Sequence, residues 1–473
     1  MSTLGHGTSL ATPAPAYSPT QEIDEIPLRR FHSNPEASGT DPNTHVTGNP
    51  IVDALPILDY AATQVERVTE AVLVGEAVAG RPRRKGFVQM CALCWMMFLI
   101  GWNDGATGPL LPRIQQVYNV NYTIVSLLFV ANCVGVIVAG MVNVYLAERL
   151  AFGKVTSALS IVGYIIQAPA PPFPVFVLAM GIIGFSMTLQ DIHSNGYVAS
   201  MQKSSGRLGV LHCAYGIGAF AAPLASTQFA QLSKWSFIYI VSLFIAALNV
   251  VALALVFRLR SLEECLLEIG EPPARDERGS GSVFSQLLHL KTLYFLALFI
   301  LAYVGTEVTI GGWIVTYTID ERGGGPSAGY ISSGFFGGLA LGRILLLQVT
   351  KKLGNRLAVL LYVLLAISLE LIVWLVPSLI SSGIAISLAG LVLGPIFPVT
   401  VHQAGRLFPR TLLNGAISIM AAAGTAGSAG VPFLAGLLAQ GRGIWSLQPL
   451  LVSLMTVMAG LWVAVPKGRP RAD

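Results

Sequence analysis

The sequence predicts an all-α membrane protein of twelve transmembrane helices in two pseudo-symmetric six-helix halves, and three observations carry that reading. Of 473 residues, 53% are hydrophobic and 11% charged, with a mean hydropathy of +0.66, a balance suited to a lipid solvent. Between Phe87 and Pro466 the apolar residues fall into twelve runs near the ~20 residues that a helix needs to cross hydrocarbon. Landmarks of the first six runs return in the second six: Gly140 at Gly342, Gly153 at Gly354, Gly184 at Gly394 and Pro223 at Pro432, at offsets of 202, 201, 210 and 209. The runs are continuous, without the alternation of a barrel strand, so helices satisfy the backbone in lipid.

In order, the first segment, 87–111, carries Asn103 and Asp104, and the second, 123–146, contains Gly140. The third, 154–168, is short because Pro169, Pro171, Pro172 and Pro174 crowd the turn that follows. The fourth, 173–198, holds the polar run Gln190 to Asn195, and the fifth, 208–229, sets His212, Tyr215, Gly216 and Gly218 before Pro223. The sixth, 237–257, completes a first half over 87–258. A charged linker, 259–290, leads to the second half, 291–466, with segments at 292–319, 329–350, 357–376, 379–401, 413–438 and 444–465. The tenth is expected to kink at Gly394-Pro395-Ile396-Phe397-Pro398. Residues 1–86 read as a disordered, partly helical cytoplasmic tail and 467–473 as a short second tail.

Lys and Arg orient the chain. Counting the loops and, of the tails, 81–85 and 467–473, one set of alternate sides holds 21 of them and the other holds four, which places both termini in the cytoplasm, with the plasma membrane as the expected location. The net charge of +5 therefore reports topology, not nucleic-acid binding. Four of the five cysteines lie in apolar segments, and Cys91 with Cys94 lacks the second pair or histidines of a metal site. With no phosphate-binding glycine loop and no nucleophile-base set, neither a cofactor, a metal nor an enzymatic activity is expected. Asn121-Tyr122-Thr123 is formally a glycosylation acceptor. The expected partners are the lipid bilayer, a small solute and protons; the oligomeric state is open, with a monomer as the working expectation.

Polar residues inside the segments carry the functional information. A charge near the bilayer centre costs about 2.5–3.5 kcal/mol, so Asp104, Asp191 and Glu307 are expected to face a wet cavity and to exchange protons there. Desolvation disfavours a carboxylate's charged form and water restores it, which is what proton coupling needs. An acid that only ties two helices together is the alternative. Asp191 and Asn195 share a helical face, as do Gln190 and Ser194 one position round. Asn103, Gln190, Asn195, His212, Tyr215, Trp313 and Gln403 are the candidate solute contacts, by hydrogen bonding or ring stacking. His193 points elsewhere, as a helix-helix contact, and Glu370 is read as structural.

From Phe87 onward the chain resembles the major facilitator superfamily. Glu148-Arg149-Leu150-Ala151-Phe152-Gly153-Lys154 looks like a degenerate form of its cytoplasmic loop signature, echoed by Gly342-Arg343 and Lys352-Leu353-Gly354-Asn355-Arg356. The resemblance implies that Arg149, Gly153 and Arg343 are conformational residues. Within that superfamily the chain is similar to the fucose-galactose-glucose:proton symporter branch and to fungal bypass of stop codon protein 6-like members. Gly101-Trp102-Asn103-Asp104-Gly105, Pro109 to Gln116, Leu211-His212 with Tyr215-Gly216-Ile217-Gly218, and Glu307 with Gly311-Gly312-Trp313 carry this. Asp191 and Asn195 match the acid and asparagine that fucose permeases use for coupling and binding. Their first-segment acid stands where this chain has Gly108, with Asp104 one turn earlier.

The expected function is secondary active transport of a small organic solute, possibly a sugar in class, by proton-coupled alternating access. Two alternatives stay open: an efflux carrier for a secondary metabolite, disfavoured because Gly218 and Pro223 are separated, and a non-transporting nutrient receptor.

Overall fold

A computed structural model describes residues 55–146, 156–201, 204–258, 260, 262–271, 286–287 and 289–466. The chain divides into two units, Met1–Val72 and Leu73–Asp473. In the first, residues from Leu55 onward are helical, and in the second the helix includes 73–86. The sequence reading gave residues 1–86 to a disordered, partly helical tail, and the stretch from 57 to 81 has no proline to interrupt a helix. Arg149, Gly153 and most of the expected linker lie outside the described residues.

The second unit is helical throughout its described length, with ten helices long and apolar enough to cross a membrane. They are α1 (Arg84–Tyr118), α2 (Tyr122–Asn143), α4 (Phe173–Ala199), α5 (Gly206–Ala230), α6 (Trp235–Phe257), α7 (Lys291–Arg322), α9 (Asn355–Leu375), α10 (Leu379–Leu407), α11 (Gly415–Arg442) and α12 (Ile444–Ala464). An eleventh, α8, is a pair, Pro326–Leu345 with Leu347–Leu353, bent by 52°. The short apolar helix α3, Ala158–Gln167, occupies the place of the third segment. Ala170, at φ 52°, takes the chain through the proline-rich turn after it. Local chemistry sets the ends: the Asn121 side chain caps α2 by accepting from the Ile124 N–H at 2.8 Å, and Gly323, at φ 63°, ends α7. As expected, α10 breaks between Leu393 and Ile396, at Gly394-Pro395.

The two halves pack alike. In the first, α2 lies on α4 and α3 on α6; in the second, α8 lies on α10 and α9 on α12. The repeated glycines explain part of this. A Cβ at Gly184 of α4 would enter the main chain of Asn132 in α2, and one at Gly394 of α10 would enter that of Leu339 in α8. Close backbone approach of this kind substitutes for the hydrophobic effect that lipid does not supply between helices. The pair α1 and α5 likewise corresponds to α7 and α11. Between the halves, α5 meets α8 and α2 meets α11.

Running back and forth through these helices, α3 included, the chain brings the start of α1 and the end of α12 to one side, called here the terminus side; the other is the far side. On the terminus side the linker helix Leu262–Glu268 is pinned to the first half. Glu268 accepts from Lys85 at 2.6 Å and from Arg260 at 2.9 Å, Glu271 pairs with Arg207 at 3.0 Å, and Cys265 and Leu266 are buried.

Candidate functional site

The described polar residues that face the space between the halves come from five helices. From α1, Asp104 is exposed although it sits well inside its helix, so it looks into open space; Asn103, its neighbour, is buried and accepts from Tyr164 of α3 at 3.2 Å. Tyr215 of α5 donates to Asp104 Oδ2 at 2.9 Å, which ties α1 to α5 at this level. From α4, Asp191 Oδ1 accepts from Asn195 Nδ2 at 2.8 Å, the pair one turn apart that helical spacing predicts. His212, one turn toward the terminus side of Tyr215, is exposed.

The second half contributes Glu307 of α7 and Arg343 of α8, 3.9 Å apart and both partly exposed. Arg343 was expected to act as part of a loop signature. It lies in the last turn of the Tyr330–Leu345 part of α8, just before the 52° bend. An arginine within a membrane helix needs a counter-ion, and Glu307 supplies one. Charge interactions couple Asp104 to Glu307 and to Asp191, and Arg343 to Tyr215 and His212, so both halves contribute to one electrostatic unit. It holds three carboxylates against one guanidinium. In a medium of low dielectric that excess of negative charge favours taking up protons or a polar solute rich in hydroxyl donors.

Three sequence-predicted contacts stand apart from this group. Gln190 is fully buried inside the first half, donating to Ser186 Oγ at 3.1 Å and accepting from Asn249 at 2.8 Å. Gln403 lies at the terminus side, where it accepts from Asn355 at 3.3 Å. Trp313 is fully buried: its indole N–H donates to the Pro432 carbonyl at 3.0 Å, and its ring packs on Tyr122 and Phe129. His193 meets Asn143 of α2 at 3.1 Å, a helix-helix contact as expected.

Trp313 belongs to a seal on the far side, which the sequence reading did not find. Tyr122 donates through its hydroxyl to Asp320 Oδ2 at 2.8 Å and through its backbone N–H to Gln440 at 3.3 Å. Gln231 donates to the Pro326 carbonyl at 3.1 Å, and Gln228 donates to the Tyr330 hydroxyl. Each bond joins one half to the other. Gly108 meets Gly311 backbone to backbone, and a Cβ on Gly436 would lie 2.7 Å from Ser126 Cβ. By contrast, the hydrogen bonds of Lys85, Arg207, Asn355 and Arg356 at the terminus side stay within their own half or its linker. Among the described residues, the far side is thus where these contacts close the gap between the halves.

Comparison with known proteins agrees with this architecture. Residues 93–394 match the sequence profile of the Major Facilitator Superfamily. Bypass of stop codon protein 6 of Saccharomyces cerevisiae is 27% identical over 406 residues, 79% of this chain and 82% of that protein. A glucose/galactose transporter of Brucella abortus is 24% identical over 388 residues, 75% of this chain and 88% of its own. Among solved structures, a POT family transporter in complex with 5-aminolevulinic acid superposes with a TM-score of 0.66 at 12% identity, covering 80% of this chain and 95% of that one. The Major Facilitator Superfamily transporter FucP, in the outward conformation, gives a TM-score of 0.56 at 17% identity, over 80% of this chain and 99% of its own. With its all-α, multi-pass fold, the chain belongs to the major facilitator superfamily, whose members are transporters and not enzymes.

Proposed function

We propose that the chain couples proton movement to the transport of a small polar solute by alternating access, with the terminus side cytoplasmic and the plasma membrane as its location. The observation that carries this reading is an acid held by a polar partner in each half, Asp191 with Asn195 in the first and Glu307 with Arg343 in the second. Protonation of Glu307 weakens its hold on Arg343, and protonation of Asp191 removes a charge from a space that already has too many acids. Either event changes what the two halves gain by approaching, so proton binding and solute binding are linked to which side is open. A sugar fits the hydroxyl, amide and carboxylate groups of Asp104, Tyr215, Asp191 and Asn195, and the Brucella relatives are named for glucose and galactose. The basic residues gathered at the terminus side support its cytoplasmic placement.

The test uses the purified chain in vesicles with an imposed pH gradient and a panel of labelled sugars and polar metabolites. Asp191→Asn is expected to lower gradient-driven uptake at least about tenfold, while exchange of solute at equal pH persists. Gradient-driven uptake unchanged in Asp191→Asn and in Glu307→Gln refutes proton coupling through these acids.

A further inference from the structure

The break in α10 takes a carbonyl out of the regular ladder. In a continuous helix the Leu393 carbonyl accepts from the N–H of Phe397, but here the second part of α10 starts only at Ile396. The next carbonyl, Gly394, is matched in sequence with Pro398, which has no N–H to give. Tyr303 of α7 spans this gap. Its side chain is buried, its hydroxyl donates to the Leu393 carbonyl at 3.2 Å, and its ring packs on Phe397 with 6.5 Å between centroids. One residue thus holds both sides of the break.

The Glu307–Arg343 pair belongs to the same assembly. Glu307 follows Tyr303 by one turn of α7, and the main chain of Arg343 abuts the break, since a Cβ on Gly394 would lie 3.2 Å from the Arg343 nitrogen. The Tyr303 hydroxyl also interacts with the side chains of Glu307 and Arg343. A phenol has one proton to donate, and two acceptors compete for it here, the Leu393 carbonyl and the Glu307 carboxyl group. Hydrogen bonds to an ionised carboxylate are roughly twice as strong as neutral ones, so the ionised acid draws the hydroxyl and the neutral acid gives up that advantage. The other groups whose charge reaches this assembly are Asp104 of α1 and Tyr215 of α5. Of the remaining helices packed on α7, α12 has no titratable side chain and α11 has only Arg442 at its far-side end, while His402 and Arg406 of α10 stand more than two turns past the break.

We infer that Tyr303 is a positioning residue that passes the state of Glu307 to the break in α10: its hydroxyl proton goes to the Leu393 carbonyl when Glu307 is neutral and is drawn to the carboxylate when Glu307 is ionised. The break is tied to α7 in the first state and loosened in the second. This rests on the reading of Glu307 as an acid that exchanges protons, and adds to it the path from that proton to the main chain.

The experiment measures hydrogen exchange of Ile396–Val401, a stretch that includes the Val399 N–H bonded to the Pro395 carbonyl at 3.1 Å, in the full chain in phospholipid nanodiscs. Glu307→Gln, which stands for the neutral acid, is expected to raise protection about fivefold, the ratio that a hydrogen bond of about 1 kcal/mol gives. Tyr303→Phe keeps the ring on Phe397, lowers protection, and removes the response to Glu307→Gln. An equal response to Glu307→Gln with and without Tyr303→Phe overturns the assignment. So does the absence of any response to Glu307→Gln in the chain that keeps Tyr303, an outcome that needs no Tyr303 variant to fold. Exchange is read without solute or pH gradient, which separates the two readings. Gradient-driven uptake abolished by Glu307→Gln beside a failed exchange cycle sinks the path alone; uptake indifferent to the gradient beside the expected cycle supports the path and sinks proton coupling.

Discussion

Replacing Tyr122 with phenylalanine removes one hydroxyl from the far-side seal and leaves the ring against Trp313 in place, 5.9 Å between centroids. The lost bond, 2.8 Å to Asp320 Oδ2, joins α2 of one half to α7 of the other, so it exists only while the far side is closed. Hydrogen bonds to charged groups contribute about 1.5–3 kcal/mol, but this pair is exposed and water replaces the partner, which brings the net value to about 1 kcal/mol. That energy is removed from one conformation alone, so the ratio of far-side-closed to far-side-open molecules falls about fivefold. Spin labels at Leu232→Cys and Leu379→Cys, on the far-side ends of the two halves in a background without other cysteines, report the change as a longer-distance population. Asp320→Asn keeps an acceptor and is expected to show a smaller shift, while Tyr122→Phe adds little to Asp320→Ala because both remove the same bond. A distance distribution in Tyr122→Phe that matches the parent within twofold refutes the gate assignment.

Two further outcomes are expected. Gly342→Ala places a Cβ inside the Leu391 carbonyl between α8 and α10, whereas its repeat partner Gly140 has open space; overpacking of about 1–3 kcal/mol lowers the apparent melting temperature of Gly342→Ala in detergent, and Gly140→Ala leaves it unchanged. At the linker, the hydrogen bond from Lys85 holds the Glu268 carboxyl below the usual carboxylate range, with Arg260 adding to it. Because the folded value is depressed, the stabilisation is complete above the ordinary carboxylate value of about 4.3 and is lost as pH falls through the folded one. Protection of Leu262–Glu268 against hydrogen exchange, taken relative to the intrinsic rate at each pH, should therefore stay high at neutral pH and fall in acid, with Lys85→Ala moving the loss to higher pH. Protection that does not change with pH would exclude the clamp.

Much of the fold is legible in the sequence because lipid enforces a simple rule: an apolar run of sufficient length must be a helix. The third segment shows where that rule weakens, since prolines after Gln167 end α3 early. The acids were found for the same reason, as charges that lipid does not tolerate. Which way a polar residue points was less legible. Gln190 and Asn195 both avoid lipid, yet one turns into the first half and the other toward the central space, and only packing separates them. Arg343 had a signal: it lies inside the apolar segment 329–350, where a charge needs a partner. The Tyr122–Asp320 contact had none, because its partners are 198 residues apart and ordinary at a membrane surface.

Gly108 carries a consequence for how the chemistry is arranged. The fucose permeases that this sequence resembles place an acid at that position; here the helix passes Gly311 so closely that even a methyl group would strike its carbonyl. A main-chain contact has no rotamers to lose and no side chain to tune, so the barrier at this level has one setting, and glycine is the only residue that keeps it. The carboxylate of this helix, Asp104, stands one turn away, about 5.4 Å, where Tyr215 holds it. Position 108 thus serves close packing between the halves, and the nearest carboxylate of the first helix lies in a separate layer.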